Sequence, residues 1–219
     1  VMTHFANADR PDGGDYTRDQ IGAFAAIRRS LEVHGPHIPL WHAANSAGAL
    51  FFAEARFNGV RPGIALYGGM RSEDEHPGAA LRQALAFKTR IAYLRPVASG
   101  AKLGYGSTGA LHRPARIAVL PVGYADGYPL QFGNCGEVLV RGRRAPVVGQ
   151  VCMDMTLVDV TDIYDAGEGD EVVLYGRQGE DALSIVDLAD KLGVVPYVLF
   201  TQIGRRVPRV YKRAAPDEA

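Results

Sequence analysis

Ile38-Pro-Leu-Trp-His-Ala-Ala-Asn-Ser-Ala-Gly48 is typical of a short apolar strand that runs directly into the start of a helix. We predict the strand over Ile38–His42. Asn45-Ser46 then caps a helix from Ala47 to about Ala55, because Asn and Ser side chains accept hydrogen bonds from the first free N–H groups of a helix. A strand followed at once by a helix is the repeating unit of α/β proteins, so this stretch decides the fold class of the first part of the chain.

The same alternation continues on both sides of this stretch. Upstream, Met2–Ala6 is a predicted strand, and Thr17 is the predicted N-cap of a helix from Arg18 to Val33. Downstream, Val60–Tyr67 is a third predicted strand. The β-α-β-α-β order implies parallel strands with right-handed crossovers. Three such strands form part of an α/β sheet or barrel and are too few to close one.

A polar, breaker-rich stretch, Arg71–Gly78, marks the predicted domain boundary, and a helical turn is predicted over Ala79–Leu85. Beyond it, strand-like segments recur at short spacing, which favours a mainly antiparallel β domain. These segments are Phe87–Leu94, Ile117–Val122, Glu137–Val140, Ala145–Val151, Thr156–Asp159 and Glu171–Tyr175. We therefore predict one domain over residues 1–76 and a second over residues 77–219.

One helix is predicted inside the second domain. Ser184 and Asp187 form a capping box, Ile185 to Leu192 is the body, and Gly193 ends the helix.

Composition limits the function classes. Lysine plus arginine and aspartate plus glutamate both number 24 in the 219 residues, and no basic run stands out, which argues against nucleic acid or a membrane as partner. No stretch approaches the length of a membrane helix. The two cysteines, Cys135 and Cys152, suit a reducing compartment, so we expect a cytoplasmic protein, and we predict no metal site. The N-terminus does not have the pattern of a signal peptide, and we expect the chain to begin inside a domain.

The stretch from His42 to Gly48 also has the signals of a phosphate site. Small residues allow close approach, the Ser46 hydroxyl can donate a hydrogen bond, and a helix N-terminus offers free N–H groups. The alternative is an ordinary helix cap. Arg61, with Gly63 two residues later, could add a second phosphate-binding backbone, since barrel enzymes often bind phosphate at their last two strands. The alternative for Arg61 is a surface ion pair.

Leu103-Gly-Tyr-Gly-Ser107 places Tyr105 between two glycines, which permit a tight turn around an uncrowded ring. We interpret Tyr105 as a catalytic base, and the alternative is a strand tyrosine beside a turn. Val151-Cys-Met-Asp154 follows a strand, and the N–H of Met153 could bind a carboxylate. The alternative there is core packing.

Taken together, these segments resemble the alanine racemase family. The matching segments are Met2–Ala6, His42–Gly48, Arg61–Gly68, Gly104–Gly106, Pro121–Pro129, Val151–Asp154 and Arg206–Tyr211, in the family's order. The resemblance implies the C-terminal part of a (β/α)8 barrel followed by a mainly antiparallel β domain. It also implies pyridoxal 5'-phosphate held as an aldimine, interconversion of L- and D-alanine for cell-wall synthesis, and a homodimer with shared active sites.

The resemblance also implies residue roles. Asn45, Ser46, Gly63 and Ile64 would hold the cofactor phosphate, and Arg61 the pyridine nitrogen. His4 would link Arg61 to the catalytic Tyr105, and a cationic neighbourhood of His4 and Arg61 would stabilise the phenolate. The substrate would meet Met153, Tyr124 and Asp154, and Asp9 would lie in the access channel.

Several positions depart from the family pattern. The family's other base is a lysine after the first barrel strand, and none of the four lysines here, Lys88, Lys102, Lys191 and Lys212, occupies such a place. We therefore expect this chain alone to be inactive. Arg205 stands where some members have a phosphate-binding tyrosine, Gln150 where arginine is frequent, and Met155 where glutamine is frequent. The alternatives left open are a broader serine or lysine racemase, a non-catalytic cofactor-binding barrel, and an inactive fragment.

Overall fold

The computed structural model describes residues 1–10, 12–70 and 81–212, and the chain divides into two compact units, Val1–Ala84 and Leu85–Ala219. The boundary predicted between residues 76 and 77 falls outside the described residues. No helix in these described ranges has both the length and the apolar character that crossing a bilayer requires.

The described residues of the first unit form two helices, α1 over Gly14–His34 and α2 over Ser46–Phe51, with 3-10 turns at Ala53–Ala55 and Ile64–Tyr67. Parallel bridges join Met2 to His42 and His42 to Gly59. Parallel pairing of the first two predicted segments is thus confirmed, and the second bridge joins His42 to Gly59, one residue before the third predicted segment. Each pairing in the described residues is a single bridge and not a full strand.

The apolar core of the first unit is built around aromatic side chains. Trp41 and Phe24 meet edge to face at 5.6 Å between ring centroids, and Phe57 meets Phe24 at 5.1 Å. Such pairs add about 0.5–1.5 kcal/mol beyond the burial of their surface. The core therefore holds α1 against the segment that leads into α2.

Two predicted helix boundaries in the first unit are wrong. Helix α1 begins at Gly14, and Thr17 lies buried inside it, where its hydroxyl donates to the Gly13 carbonyl oxygen at 2.7 Å. A threonine can satisfy its hydroxyl on a carbonyl four residues back as well as it can cap a helix. Helix α2 stops at Phe51, and a separate 3-10 turn follows it.

The third predicted strand is wrong as well. Residues 64–67 of that segment form a 3-10 turn. Pro62 and Gly63 precede the turn, and Pro62 has no backbone N–H to donate to a neighbouring strand. A short apolar run does not distinguish strand from helix by its pattern alone. The helical turn predicted over Ala79–Leu85 is not found in residues 81–85, and residues 79–80 lie outside the described chain.

The second unit is a set of antiparallel sheets, as predicted. Its strands are β1 Phe87–Arg90, β2 Tyr93–Val97, β3 Lys102–Leu103, β4 Gly109–Ala110, β5 Ala115–Leu120, β6 Glu137–Val140, β7 Arg143–Pro146, β8 Thr156–Asp159, β9 Glu171–Gln178 and β10 Asp181–Leu183. A five-stranded sheet has the order β1-β9-β6-β7 with β10 also on β9, a three-stranded sheet has the order β2-β5-β8, and β3 pairs with β4.

Among residues 85–212, this unit also has two α-helices. Helix α3, Ile185–Leu192, is capped by Ser184, whose side chain accepts from the Val186 N–H at 3.2 Å, and it ends at Gly193 with φ at 66°, so both predicted ends are confirmed. Helix α4, Pro196–Thr201, has a proline in its first turn and was not predicted, because six residues carry too little periodicity.

The core of the second unit is built on the central strands β6 and β9. Leu139 of β6 and Val173 of β9 are paired across the two antiparallel strands, and both side chains are fully buried. The Tyr128 ring stacks on the Phe132 ring with 5.0 Å between their centroids, and the Tyr175 ring centroid lies 6.1 Å from that of Tyr128. This packed layer anchors the segment from residue 123 to residue 136, from which Tyr124 projects.

Candidate active site

Arg61 lies where the three parallel segments of the first unit meet. One terminal nitrogen, Nη1, donates to the His42 carbonyl at 3.2 Å and approaches His42 Nδ1 at 2.5 Å. The other, Nη2, contacts the carbonyls of Thr3 at 2.9 Å and Ala43 at 3.1 Å, and His4 Nδ1 at 3.2 Å. Both terminal nitrogens are thus engaged, while the Nε–H donates to no acceptor in the described chain. These contacts fix the orientation of the guanidinium and leave its Nε–H available to donate a hydrogen bond.

The His42 ring is half-buried and accepts from Arg61. Burial lowers the pKa of His42 below its ordinary value of 6.5, and the charge of Arg61 lowers it further. A neutral imidazole can accept at Nδ1, whereas an imidazolium cannot. His42 therefore stays uncharged at neutral pH and orients the guanidinium.

We expect an NMR titration of the full-length protein to give His42 a pKa below 6.5, and Arg61→Met to raise it towards that value. Because the folded pKa is the lower one, the unfolded state binds more protons in this window. The free energy of unfolding should then fall as the pH drops from about 6.5 through the folded pKa. His34, the exposed last residue of α1, is the control resonance. A His42 pKa that Arg61→Met does not change would contradict the assigned contact.

Asn45, Ser46, Gly63 and Ile64 form a small polar cradle. The Asn45 side chain accepts from the Gly48 N–H at 2.9 Å and so fixes the turn into α2, as predicted. The buried Ser46 Oγ accepts from the Ala65 N–H at 3.2 Å, which leaves its own proton to donate. In the described residues nothing accepts from the N–H groups of Gly63 and Ile64.

The space beside Gly63 is open, since a Cβ there would meet nothing within 4 Å. One hydroxyl and two unused amides beside this opening suit an anion with several oxygen acceptors.

Tyr105 begins a 3-10 turn in the second unit and is 72% exposed. Its neighbours Gly104 and Gly106 have φ of 73° and 66°, so the predicted tight glycine turn is confirmed. A Cβ at Gly104 would lie 3.2 Å from the Gln150 nitrogen, so the loop packs against that backbone. The Tyr105 hydroxyl meets no partner within the described residues, so the loop presents it outward.

Tyr124 and Met153 sit on two loops that are joined through their backbones. The Tyr124 N–H donates to the Cys152 carbonyl at 3.0 Å, and the Ala125 N–H donates to the Met153 carbonyl at 3.0 Å. Gly123 allows this approach, because a Cβ on it would lie 2.1 Å from the Cys152 oxygen. Among described residues, the Met153 N–H donates to no protein acceptor. It is therefore free to bind an added group.

Arg206 connects these two loops by its side chain. Its Nε donates to Asp126 Oδ1 at 2.7 Å, and its Nη2 contacts Asp154 Oδ1. These hydrogen bonds raise the pKa of Arg206, with Asp154 as the larger cause. Asp126 uses its other oxygen to accept from the Gly123 N–H at 2.9 Å. The arginine thus holds two carboxylates beside the exposed Met153 and Tyr124.

Two family models match this chain. The model described as alanine racemase, N-terminal domain, matches residues 1–71, and the one described as alanine racemase, C-terminal domain, matches residues 84–211. The chain belongs to the alanine racemase family.

Individual alanine racemases match along almost the whole chain. The alanine racemase of Halothermothrix orenii is 46% identical over 212 residues, which are 97% of this chain and 56% of that protein. Alanine racemase 2 of Caldanaerobacter subterraneus is 43% identical and covers 96% of this chain and 54% of its own length. The chain thus spans about half the length of the curated relatives it matches.

Solved alanine racemases have the same fold. The Bacillus anthracis enzyme with bound L-Ala-P is 35% identical with a TM-score of 0.88, over 97% of this chain and 55% of that one. The enzyme from D-cycloserine-producing Streptomyces lavendulae is 32% identical with a TM-score of 0.88, and the match covers 99% of this chain and 57% of that enzyme's chain. The predicted fold class, the C-terminal part of a (β/α)8 barrel followed by a mainly antiparallel β domain, is confirmed.

The site residues predicted from the alanine racemase resemblance fall into two groups, one in each unit. Within the first unit, Arg61 contacts His4 directly, and the residues Asn45, Ser46, Gly63 and Ile64 are brought together. Asp9 is exposed in a turn. Within the second, Tyr124 and the Met153–Asp154 segment are brought together, and Arg205, Gln150 and Met155 are exposed.

Sequence reasoning missed His42, Asp126 and Arg206 as site residues of this alanine racemase family chain. His42 immediately precedes the predicted phosphate turn, and that position was a usable signal. Asp126 and Arg206 lie inside segments that carried the resemblance, but they are 80 residues apart, and only the fold brings them together.

Proposed function

We propose that the full-length protein is a pyridoxal 5'-phosphate-dependent alanine racemase. The observation that carries the proposal is Arg61, whose terminal nitrogens are engaged by the chain while its Nε–H stays free near the open cradle of the same unit. When bound, pyridoxal phosphate supplies an electron sink for the Cα–H bond of an amino acid. The substrate class is a small amino acid, and the family membership supports alanine.

The cradle would hold the cofactor phosphate. Ser46 would donate its hydroxyl proton, and Gly63 and Ile64 would donate their unused N–H groups. Asn45 would act through the backbone, since its side chain already accepts from Gly48. These donors fit a phosphate dianion without any lysine or arginine.

Arg61 would meet the ring nitrogen through Nε–H. A guanidinium keeps its proton at any pH at which the protein is folded, so Arg61 would act as a donor only and would not protonate the ring nitrogen. By withholding that proton, Arg61 would favour racemisation over transamination. The two imidazoles, His4 and His42, hold the guanidinium in this orientation.

Tyr105 would move the α-proton on one face of the substrate, and His4 would link it to Arg61. Met153 would receive the substrate carboxylate on its N–H, with Tyr124 and Asp154 beside it and Asp9 on the access path. Racemisation needs a base on the opposite face too. All four lysines of the chain lie in the second unit, so we propose that the opposite base belongs to the part of the enzyme that the chain does not span.

We further propose that the enzyme is a cytoplasmic homodimer with shared active sites. Residues 1–76 would be the C-terminal part of the cofactor-binding barrel, and residues 77–219 the domain that carries Tyr105. The exposed tyrosine, whose hydroxyl has no acceptor or donor within the described chain, supports its use by a neighbouring subunit. D-alanine for cell-wall synthesis would be the product.

The test is an assay of the full-length protein with L-alanine, L-serine and L-lysine, before and after the cofactor is removed and restored. We expect interconversion of alanine that depends on added pyridoxal phosphate and is much slower for the other two. Preferred turnover of serine or lysine would instead favour a broader racemase. Cofactor binding without turnover of any of them would favour a non-catalytic barrel protein, and both results would contradict the proposal.

A further inference from the structure

Three segments of the second unit converge around Arg206. The Gly204 N–H donates to the Asp126 carbonyl at 2.9 Å, which fixes the segment that carries Arg206 against the turn that carries Tyr124. The backbone bonds of Tyr124 to Cys152 then join this turn to the Met153 loop. The Arg206 side chain is the link that bridges both turns through charged groups.

The two carboxylates that contact Arg206 differ in their exposure to solvent. The Asp126 carboxylate is only 15% exposed and is already used by the Gly123 N–H. The Asp154 carboxylate is 55% exposed and lies on the residue directly after Met153. Its negative charge would repel any anion that approaches the free Met153 N–H. Arg206 is the cation that contacts it, and a hydrogen-bonded cation offsets most of that repulsion.

We infer that Arg206 is a positioning residue for carboxylate binding, which neutralises Asp154 so that the Met153 N–H can receive the carboxylate of the substrate. The inference rests on the proposed function in its assignment of a carboxylate to Met153. It adds a specific electrostatic role: Arg206 acts through Asp154 and does not itself touch the substrate.

The experiment measures carboxylate binding and turnover separately in the full-length holoenzyme. Propionate is titrated while the amide NMR signal of Met153 is followed, and KM and kcat for L-alanine are measured on the same samples. Arg206→Met should weaken propionate binding and raise KM by about tenfold, the size expected for one unscreened charge at several ångströms near a protein surface. The kcat should change less than threefold, and the KM effect should shrink in high salt.

Two further variants separate charge from shape. Arg206→Met combined with Asp154→Asn removes the repelling charge along with its partner, so this double variant should bind propionate more tightly, and have a lower KM, than Arg206→Met alone. Arg206→Lys keeps the charge and should stay close to the unsubstituted protein. Arg113→Met, which removes the exposed Arg113–Asp162 pair of the same unit, is the matched control and should change neither value.

The outcomes separate this inference from the proposed function. An unchanged KM and propionate affinity in Arg206→Met would overturn it, as would a loss that Asp154→Asn does not relieve. Should Arg206→Met fail to fold, an Arg206→Lys variant that is folded yet tenfold weaker in both values would overturn it too. If the enzyme does not racemise alanine, the proposed function fails, but the propionate titration still decides the role of Arg206. Propionate that leaves the Met153 signal unmoved in the unsubstituted protein would also overturn the inference.

Discussion

Tyr105→Phe in the full-length protein is expected to lower alanine racemisation by about 10²–10⁴-fold, the usual contribution of a positioned acid or base. The hydroxyl makes no hydrogen bond within the described residues, so its removal should leave the free energy of unfolding unchanged. The loss would therefore be chemical and not structural. Exchange of the α-hydrogen with deuterated water, measured separately from L- and from D-alanine, tests this directly.

The expected pattern is one-sided. Exchange from one enantiomer should be lost while exchange from the other persists, because Tyr105 serves one face of the α-carbon. Tyr164→Phe is the control, since Tyr164 is 82% exposed in the same unit and should tolerate the change. Equal loss of exchange from both enantiomers would contradict the assignment of Tyr105 to a single face.

Gly123→Ala is expected to destabilise the second unit by about 1–3 kcal/mol, the cost of forcing atoms into a filled space. A methyl group there would lie 2.1 Å from the Cys152 carbonyl oxygen and 2.5 Å from that of Met153, and both neighbours are backbone atoms. The two loops would have to separate, and the Met153 N–H would move with them. Urea unfolding gives the stability change, and the chemical shift of the Met153 amide reports the movement.

A glycine with open surroundings supplies the control for this substitution. A Cβ at Gly167 would meet nothing within 4 Å, so Gly167→Ala should leave stability within about 0.5 kcal/mol. If Gly123→Ala were as stable as Gly167→Ala, the close approach of the two loops would not hold in solution.

Signals that act between neighbours in the sequence were predicted correctly. The Asn45 cap of α2, the Ser184 cap and Gly193 end of α3, and the turn at Gly104 and Gly106 all depend on a few adjacent residues. Local chemistry of this kind fixes backbone conformation wherever it occurs, so a single sequence is enough to read it.

Features that depend on distant residues were not predictable in this way. The Arg61–His42 contact spans 19 residues, and the contacts of Arg206 with Asp126 and Asp154 span 80 and 52 residues. The residues next to each partner in the sequence do not indicate which distant residue it will contact. The 3-10 turn at Ile64–Tyr67 was missed for a related reason, because an apolar run of this length is compatible with either a strand or a helix.

Arg61 carries a positive charge that no carboxylate contacts in the described part of the chain. Its contacts there are carbonyl oxygens and imidazole nitrogens, so its charge is not cancelled. Carbonyls do not titrate, and a guanidinium does not lose its proton, so the sign of this charge is the same at every pH the fold survives. Arg61 therefore favours a neutral or negatively charged group beside it at every pH at which the protein is folded, whereas His42 gains a charge when the pH falls below its lowered pKa.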